Sequence, residues 1–402
     1  MNILIINAHS SKNKGDAGIV LSMIDAIKKH NHNCNIKIHS RFPEIDGKFY
    51  DEPVSACVDN VSIDPKTSKL KKMGSSVKLL AALSNTRKVK SSDYEWADVV
   101  VSCGGGFLLS HRFSAALMQH LVQIKTAFDY GKPVVIYAQS IGPFYNKKMQ
   151  SLAKSVLDKV SKIYIRESVS KNWLEKIGCE NRNIELVPDS AFSMYLEGSS
   201  RIDDLLENVK QKHDGPIVGM TVRDWNFPEV TDTEFHRNKY IESVRAAIKH
   251  MSEKYNAKVL LMPQVLGPNP FNDDRIISRE VLKTVNPETA ELLDYDFHPR
   301  ELKYLYSKMD MFIGTRMHSN IFALSTSVPT VAINYEHKTK GIMEMLNLND
   351  YVVDIKDIEA EPFIKMIENC WSNKDHLRNE LSKNIPAVIE KAEIPAKVLK
   401  SL

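Results

Sequence analysis

The sequence predicts an α/β protein of two Rossmann-like, doubly wound domains facing one another across a cleft. Three observations carry this. The chain has 402 residues, which at roughly 150 per domain corresponds to two domains. Short apolar runs alternate with helix-spaced segments in two series, separated by a charged, polar stretch near residues 196–215. The unusual residues fall repeatedly just after an apolar run: Gly15 and Asp16, Gly104 to Gly106, Gln139, Arg166, Arg223, Gln264 and Arg316. That placement puts them on the rim of each sheet where ligands of such folds bind. The expected organisation is an N-terminal domain over residues 1–200, a C-terminal domain over 201–375 and a helical tail over 376–402.

Composition excludes several classes. Hydrophobic residues make up 43% and charged residues 26%, ordinary globular usage that leaves enough apolar chain for two cores. A formal net charge of +4 is small for this length and argues against a dedicated nucleic-acid binder. Cys34, Cys57, Cys103, Cys179 and Cys370 are dispersed without a C-x-x-C pair, the usage of reduced cytosolic thiols rather than a zinc site. The first apolar run is too short for a signal peptide, and no run is long enough to span a bilayer. A cytoplasmic protein is expected.

In order, residues 3–6 read as a first strand, followed by the loop Asn13-Lys14-Gly15-Asp16 and a helix with Ile19, Val20, Met23, Ile24 and Ile27 on one face. Residues 35–39 alternate as a second strand does, whereas 41–62 show no clear period. Residues 99–101 form a buried strand that leads into Gly104-Gly105-Gly106, a run that permits a tight turn and close approach of a ligand to the backbone. Strands at 134–138 and 163–165 end at Gln139 and Arg166. In the second series, strands at 217–222 and 259–262 lead to Arg223 and to Pro263-Gln264.

The stretch 310–346 organises the rest. A strand at 311–313 ends at Gly314, Arg316 and His318 enter the first turn of a helix, Val328-Pro329 stops that helix, and 331–333 form another strand. A helix N-terminus beside a fixed guanidinium suits an anion, and an imidazole there is placed to move a proton. Arg223 and Arg316 are two cations at strand ends of one domain, a fork for a small, multiply charged anion unless each is a structural ion-pair partner. No G-x-G-x-x-G, Walker A or Gly-x-Ser-x-Gly sequence occurs, so neither a nicotinamide cofactor nor ATP is supported. Asp294-Tyr295-Asp296 has the form of an Asp-x-Asp metal motif but lacks a nearby helper ligand; no metal is expected.

The pieces Asn13-Lys14-Gly15-Asp16, Gly104-Gly105-Gly106-Phe107, Ser140-Ile141-Gly142-Pro143-Phe144, Arg166-Glu167-Ser168, Gly314-Thr315-Arg316-Met317-His318-Ser319 and Asn334-Tyr335-Glu336-His337-Lys338 resemble those of the polysaccharide pyruvyl transferases, especially the colanic-acid type. The resemblance runs from about residue 3 to 348 and is weak over 41–92 and after 350. It implies a fold similar to the two-Rossmann-domain (GT-B) glycosyltransferases. It also implies transfer of a pyruvyl unit from phosphoenolpyruvate to two hydroxyls of a sugar in an exopolysaccharide or cell-surface glycan precursor, giving a cyclic ketal. No cofactor beyond that donor is implied. By the same resemblance Arg223, Arg316 and His318 match the donor-site catalytic residues. Substrate contacts are expected from Asn13, Gly15 and Asp16, from Gly104, Gly105, Gly106, Gln139 and Arg166, and from Gln264, Glu336 and Lys338.

The residues suit this chemistry independently. Two arginines can pair the carboxylate and phosphate of the donor and stabilise departing phosphate, and a histidine can protonate its methylene. Asp16 or Glu336 is available to take a proton from a sugar hydroxyl. The alternatives are a GT-B-type glycosyltransferase using a nucleotide sugar, and a non-enzymatic glycan- or nucleotide-binding protein on the same fold. The expected partners are phosphoenolpyruvate and a sugar or lipid-linked oligosaccharide, with no nucleic acid. Residues 66–90 carry eight basic residues and no acid, with Leu70, Met73, Val77 and Leu80 at helical spacing. That segment is either a solvated basic helix or an element touching anionic lipid at the inner face of the cytoplasmic membrane.

Overall fold

A computed structural model describes residues 1–60, 68–267 and 272–402 of the chain. Lys66 of the basic segment lies outside the described residues, as do the side chains of Lys69, Leu70, Lys71, Lys72 and His337. The chain forms two compact units. The first comprises Met1–Ser11, Ile19–Met194 and Ile389–Leu402; the second comprises Lys12–Gly18 and Tyr195–Val388. The chain therefore leaves the first unit at Met194, ahead of the charged stretch, and the helix Ser200–Lys212 belongs wholly to the second. The expected tail of 376–402 is not a separate body. The helix Lys374–Ala392 starts in the second unit, and the last residues pack in the first, where Asn31 donates to the Ala396 carbonyl at 2.9 Å.

In the first unit the strands are β1 (Asn2–Ala8), β2 (Asn35–Ser40), β3 (Val54–Ala56), β4 (Val99–Ser102), β5 (Gly105–Ser110), β6 (Val134–Phe144), β7 (Lys162–Ile165) and β8 (Ile184–Leu186). They lie in the order β3-β2-β1-β4-β6-β7-β8, with β5 also against β6, and these pairings are parallel. Ile3, Leu4, Ile5, Val100, Val101, Val134 and Val135 are fully buried. Strands covered on both faces use β-branched residues without alternation, which is why the sequence shows them as continuous apolar runs.

In the second unit β9 (Ile217–Thr221), β10 (Lys258–Leu261), β11 (Ala290–Leu292), β12 (Met311–Gly314), β13 (Thr330–Asn334) and β14 (Val352–Asp354) form a parallel sheet in the order β11-β10-β9-β12-β13-β14. Counted within the unit this is 3-2-1-4-5-6, with the reversal of order between β9 and β12. Gly314 pairs with Thr221. Arg316 and Arg223 each lie two residues further on, so the register brings both to the same level of the carboxyl rim, at the switch point.

Two local readings are corrected. Gly105 and Gly106 are not a free turn but the start of β5, and Gln139 lies within β6 rather than beyond its end. A Cβ on Gly104 would lie 2.7 Å from the Tyr137 carbonyl oxygen, and Gly105 has φ +127° with a virtual Cβ 2.4 Å from the Phe107 ring. The chain itself uses the smallness of these glycines, to bring β5 onto β6.

Candidate active site

In the second unit the site assembles around Arg316. This residue stands at the N-cap of the helix Met317–Leu324 and is 9% exposed. Its Nε lies 3.1 Å from both carboxylate oxygens of Asp274, and its Nη2 lies 2.5 Å from Oδ1. Asp274 also accepts from the backbone N–H groups of Gln264 (3.2 Å) and Val265 (2.9 Å). Burial works against the Arg316 charge, but Asp274 outweighs it and the pKa is raised.

Arg223 is held differently. Its guanidinium lies 4.7 Å from the Trp225 ring centroid and 4.1 Å from that of Tyr335, and those two rings are 4.9 Å apart. Among the described residues no carboxylate forms an ion pair with it. Burial lowers its pKa; Tyr335 acts in the opposite sense and the Arg316 charge lowers it further. The two arginines are therefore unequal. One is matched by a buried carboxylate, and the other is a half-buried cation stacked on aromatic faces.

Tyr240 ties the two loops together. Its hydroxyl accepts from the Arg223 N–H (3.2 Å) and is 2.9 Å from Thr315 Oγ1. The Thr221 and Ser319 hydroxyls are 2.7 Å apart, joining the end of β9 to the first turn after Arg316. Gln264 is buried after β10, and neither atom of its side-chain amide has a hydrogen-bond partner among the described residues. A buried amide without partners is costly, and a bound polar ligand would satisfy it.

The loop before the helix Lys14–His30 belongs to this unit. Lys14 N–H donates to the Gln264 carbonyl (2.9 Å), and Asn13 bridges Val265 in antiparallel fashion. Asn13 caps the helix, with Oδ1 accepting from Gly15 N–H (3.0 Å) and Nδ2 donating to Asp16 (2.8 Å). Gly15 packs on the ring of His318 so closely that a Cβ would stand 2.3 Å from Nδ1. Glu336 and Lys338 begin the helix His337–Met345 and pair at 3.3 Å. The Asp-x-Asp pair is occupied by cations: Asp296 pairs with Lys12 (2.7 Å) and buried Lys14, and Asp294 with Arg275 (3.5 Å) and Arg279. Burial lowers the Lys14 pKa despite Asp296. Among the described residues no group of three or more His, Cys, Asp and Glu side chains is placed to hold a metal ion.

The remaining expected residues lie in the first unit. With its amide turned to the orientation that satisfies both atoms, Gln139 donates to the Cys103 carbonyl (2.7 Å) and accepts from Phe107 N–H (2.9 Å), bracketing the three glycines. Arg166 donates to Ser140 Oγ (2.7 Å) and Asp189 (2.5 Å) and lies 3.5 Å from Glu167, so its charge is matched locally. Sequence reasoning did not single out His9 or His120 on this rim. The His9 ring stacks on Phe107 at 3.4 Å, 5.3 Å from His120, whose Nδ1 is 2.8 Å from Asn7 Oδ1. Burial holds both imidazoles well below the usual histidine range, His120 at about 3. Trp225, Tyr335, Tyr240 and Asp274 were also missed. Tyr335 adjoins Glu336 in a recognised motif and Trp225 lies two residues past Arg223, but the partnership of Asp274 needs the tertiary register.

The pattern described as polysaccharide pyruvyl transferase matches residues 13–337. The chain belongs to this family. The match begins at the Asn13 cap and ends just past Glu336, so it takes in Arg223, Gln264, Asp274, Arg316 and His318 and stops before Lys338. Among relatives, this family member is 24% identical over 425 residues to the amylovoran biosynthesis protein AmsJ of Erwinia amylovora, with 100% of each chain covered. The transferase therefore has a relative named for amylovoran biosynthesis. Solved structures share its fold. A UDP-GlcNAc 2-epimerase from Methanocaldococcus jannaschii superposes with a TM-score of 0.61 at 13% identity, covering 100% of both chains. A putative UDP-N-acetylglucosamine 2-epimerase from Listeria monocytogenes gives 0.63 at 11% identity, covering 100% of this chain and 95% of its own. HepE of Anabaena in complex with UDP-glucose gives 0.60 at 14%, covering 100% of both. These likenesses identify a GT-B-like fold with two Rossmann-like domains.

Proposed function

We propose that the protein transfers a pyruvyl unit from phosphoenolpyruvate to two hydroxyls of one sugar in an exopolysaccharide or cell-surface glycan precursor, forming a ketal and releasing phosphate. The observation that carries this reading is Arg223, a cation stacked on Trp225 and Tyr335 and unmatched by any described carboxylate, at the same rim as Arg316, Gln264 and His318. A small dianionic donor suits that arrangement. Arg223 takes one anionic group, the helix N-terminus at Met317 adds positive potential, and the Gln264 amide supplies polar contacts.

The chemistry balances within these residues. His318 gives a proton to the methylene carbon of the donor, turning it into a methyl group. One sugar hydroxyl adds to the adjacent carbon and loses its proton to a base, for which Glu336 and Asp16 are at hand. The second hydroxyl displaces phosphate from the same carbon, passes its proton to the departing phosphate and closes the ketal, and the proton taken by the base returns through solvent to His318. Positive charge from Arg223 and Arg316 stabilises the departing phosphate.

Donor choice tests the proposal. With a glycan acceptor, phosphate release is expected from phosphoenolpyruvate and no nucleotide release from nucleotide sugars. Nucleotide release with glycosyl transfer would overturn it in favour of a glycosyltransferase.

A further inference from the structure

One amphipathic element of the first unit takes no part in the site above. The helix Lys69–Leu83 buries Leu79 and Ala82 in a core cluster that includes Leu117 and Leu121. Its other face does not turn to polar residues. Met73 is 62% exposed, Val77 61% and Leu80 37%. Steps of four and three residues put these three side chains on one stripe. Among the described residues nothing lies within 4 Å of the Cβ position of Gly74 beside them. A contiguous exposed apolar stripe on a helix whose Leu79 and Ala82 are packed in the core marks a contact surface.

Charge identifies the partner. Residues 66–92 contain no Asp or Glu. Lys78, Lys88 and Lys90 are exposed, whereas Arg87 is matched by Asp59. The helix begins with Lys69, Lys71 and Lys72 in its sequence. A second copy of this chain would bring like charges together across the stripe. An anionic surface with an apolar interior fits both features.

We propose that this face docks on an anionic lipid surface, with Met73, Val77 and Leu80 entering the head-group region and the lysines pairing with lipid phosphates. This docking stands independently of the pyruvyl-transfer reading. It would serve a transferase whose acceptor is held at a membrane.

Co-sedimentation of the full-length protein with vesicles tests it, using vesicles of purely zwitterionic lipid and vesicles containing about a third anionic lipid. Binding to the anionic vesicles alone is expected, weakening as salt rises. Replacing Lys78, Lys88 and Lys90 by Gln is expected to weaken binding about 100-fold at low salt, roughly fivefold per charge. Replacing Met73, Val77 and Leu80 by Ser is expected to release the protein with its lysines intact, and all six positions are exposed, so the fold is retained. Phosphate release on a short soluble acceptor is expected to be unchanged in both variants. The proposal is overturned if the parent stays in the supernatant at low salt, or if either variant binds as the parent does. It is also overturned if soluble polyglutamate binds as well as vesicles, which assigns the face to an acidic protein. Self-association of the parent that the Ser variant abolishes would overturn it too, assigning the face to a second copy.

Discussion

Arg316 and Asp274 form a buried two-pronged ion pair that joins the end of β12 to the start of the helix Asp274–Leu282. Removing one partner strands a buried charge, which costs about 3–5 kcal/mol. Asp274→Leu and Arg316→Met are each expected to lower unfolding free energy by that order in urea titrations. Arg316→Met combined with Asp274→Leu is expected to lose clearly less than the sum of the singles, because neither charge is then stranded. Additive losses would show that the pair is not coupled.

Gly15 sits against the His318 ring, and His318 is assigned the proton transfer. His318→Gln is expected to reduce turnover by ~10²–10⁴-fold, with little change in the apparent KM for the donor. Gly15→Ala must push the imidazole aside, since its Cβ would fall 2.3 Å from Nδ1. It is expected to lose turnover while keeping a parent-like circular dichroism spectrum. Normal kcat in either variant removes His318 from the chemistry.

The aromatic flanks of Arg223 act through its guanidinium. Trp225→Leu removes one ring and, at about 0.5–2 kcal/mol for a cation–π contact, is expected to raise the donor KM several-fold with a smaller effect on kcat. Arg223→Lys keeps the charge but not the planar, stacking fork, and is expected to raise KM further. A donor KM unchanged in both variants contradicts anion binding by Arg223.

Burial and the Arg41 charge hold His120 at about 3 in the folded protein, against about 6.5 when unfolded. The shift is downward, so the unfolded chain binds the extra proton as pH falls. The associated stability is therefore present above about 6.5 and is lost progressively toward pH 3, with a slope of at most about 1.4 kcal/mol per pH unit. His9, shifted in the same direction, adds to it. Thermal unfolding across this range is expected to show a shallower pH dependence in His120→Asn than in the parent. Equal slopes would show that His120 is not held neutral.

Much of this was legible in the sequence because parallel strands buried on both faces announce themselves as unbroken apolar runs. Arg223, Arg316, His318 and Gln264 were legible because each follows such a run. What the sequence hid depends on register. The pairing of Gly314 with Thr221 sets Arg316 level with Arg223, and Asp274 reaches Arg316 from 42 residues away. β3 escaped notice because it has only three residues and none is buried. β5 escaped because glycine has low strand propensity and Gly105 and Gly106 are its first residues. Arg166 reads as a ligand contact from its strand-end position, and the sequence does not show that Asp189, from a separate segment, pairs with it beside its neighbour Glu167.

The most direct test of pyruvyl transfer is the product formed from phosphoenolpyruvate and a glycan acceptor in deuterated water. The expected product is the acceptor plus one pyruvate less one water, with a single deuterium in the new methyl group and one phosphate released per ketal. An acceptor left unchanged by phosphoenolpyruvate but extended by one sugar from a nucleotide sugar, or a ketal methyl without solvent deuterium, would contradict protonation of the donor methylene and the role assigned to this site.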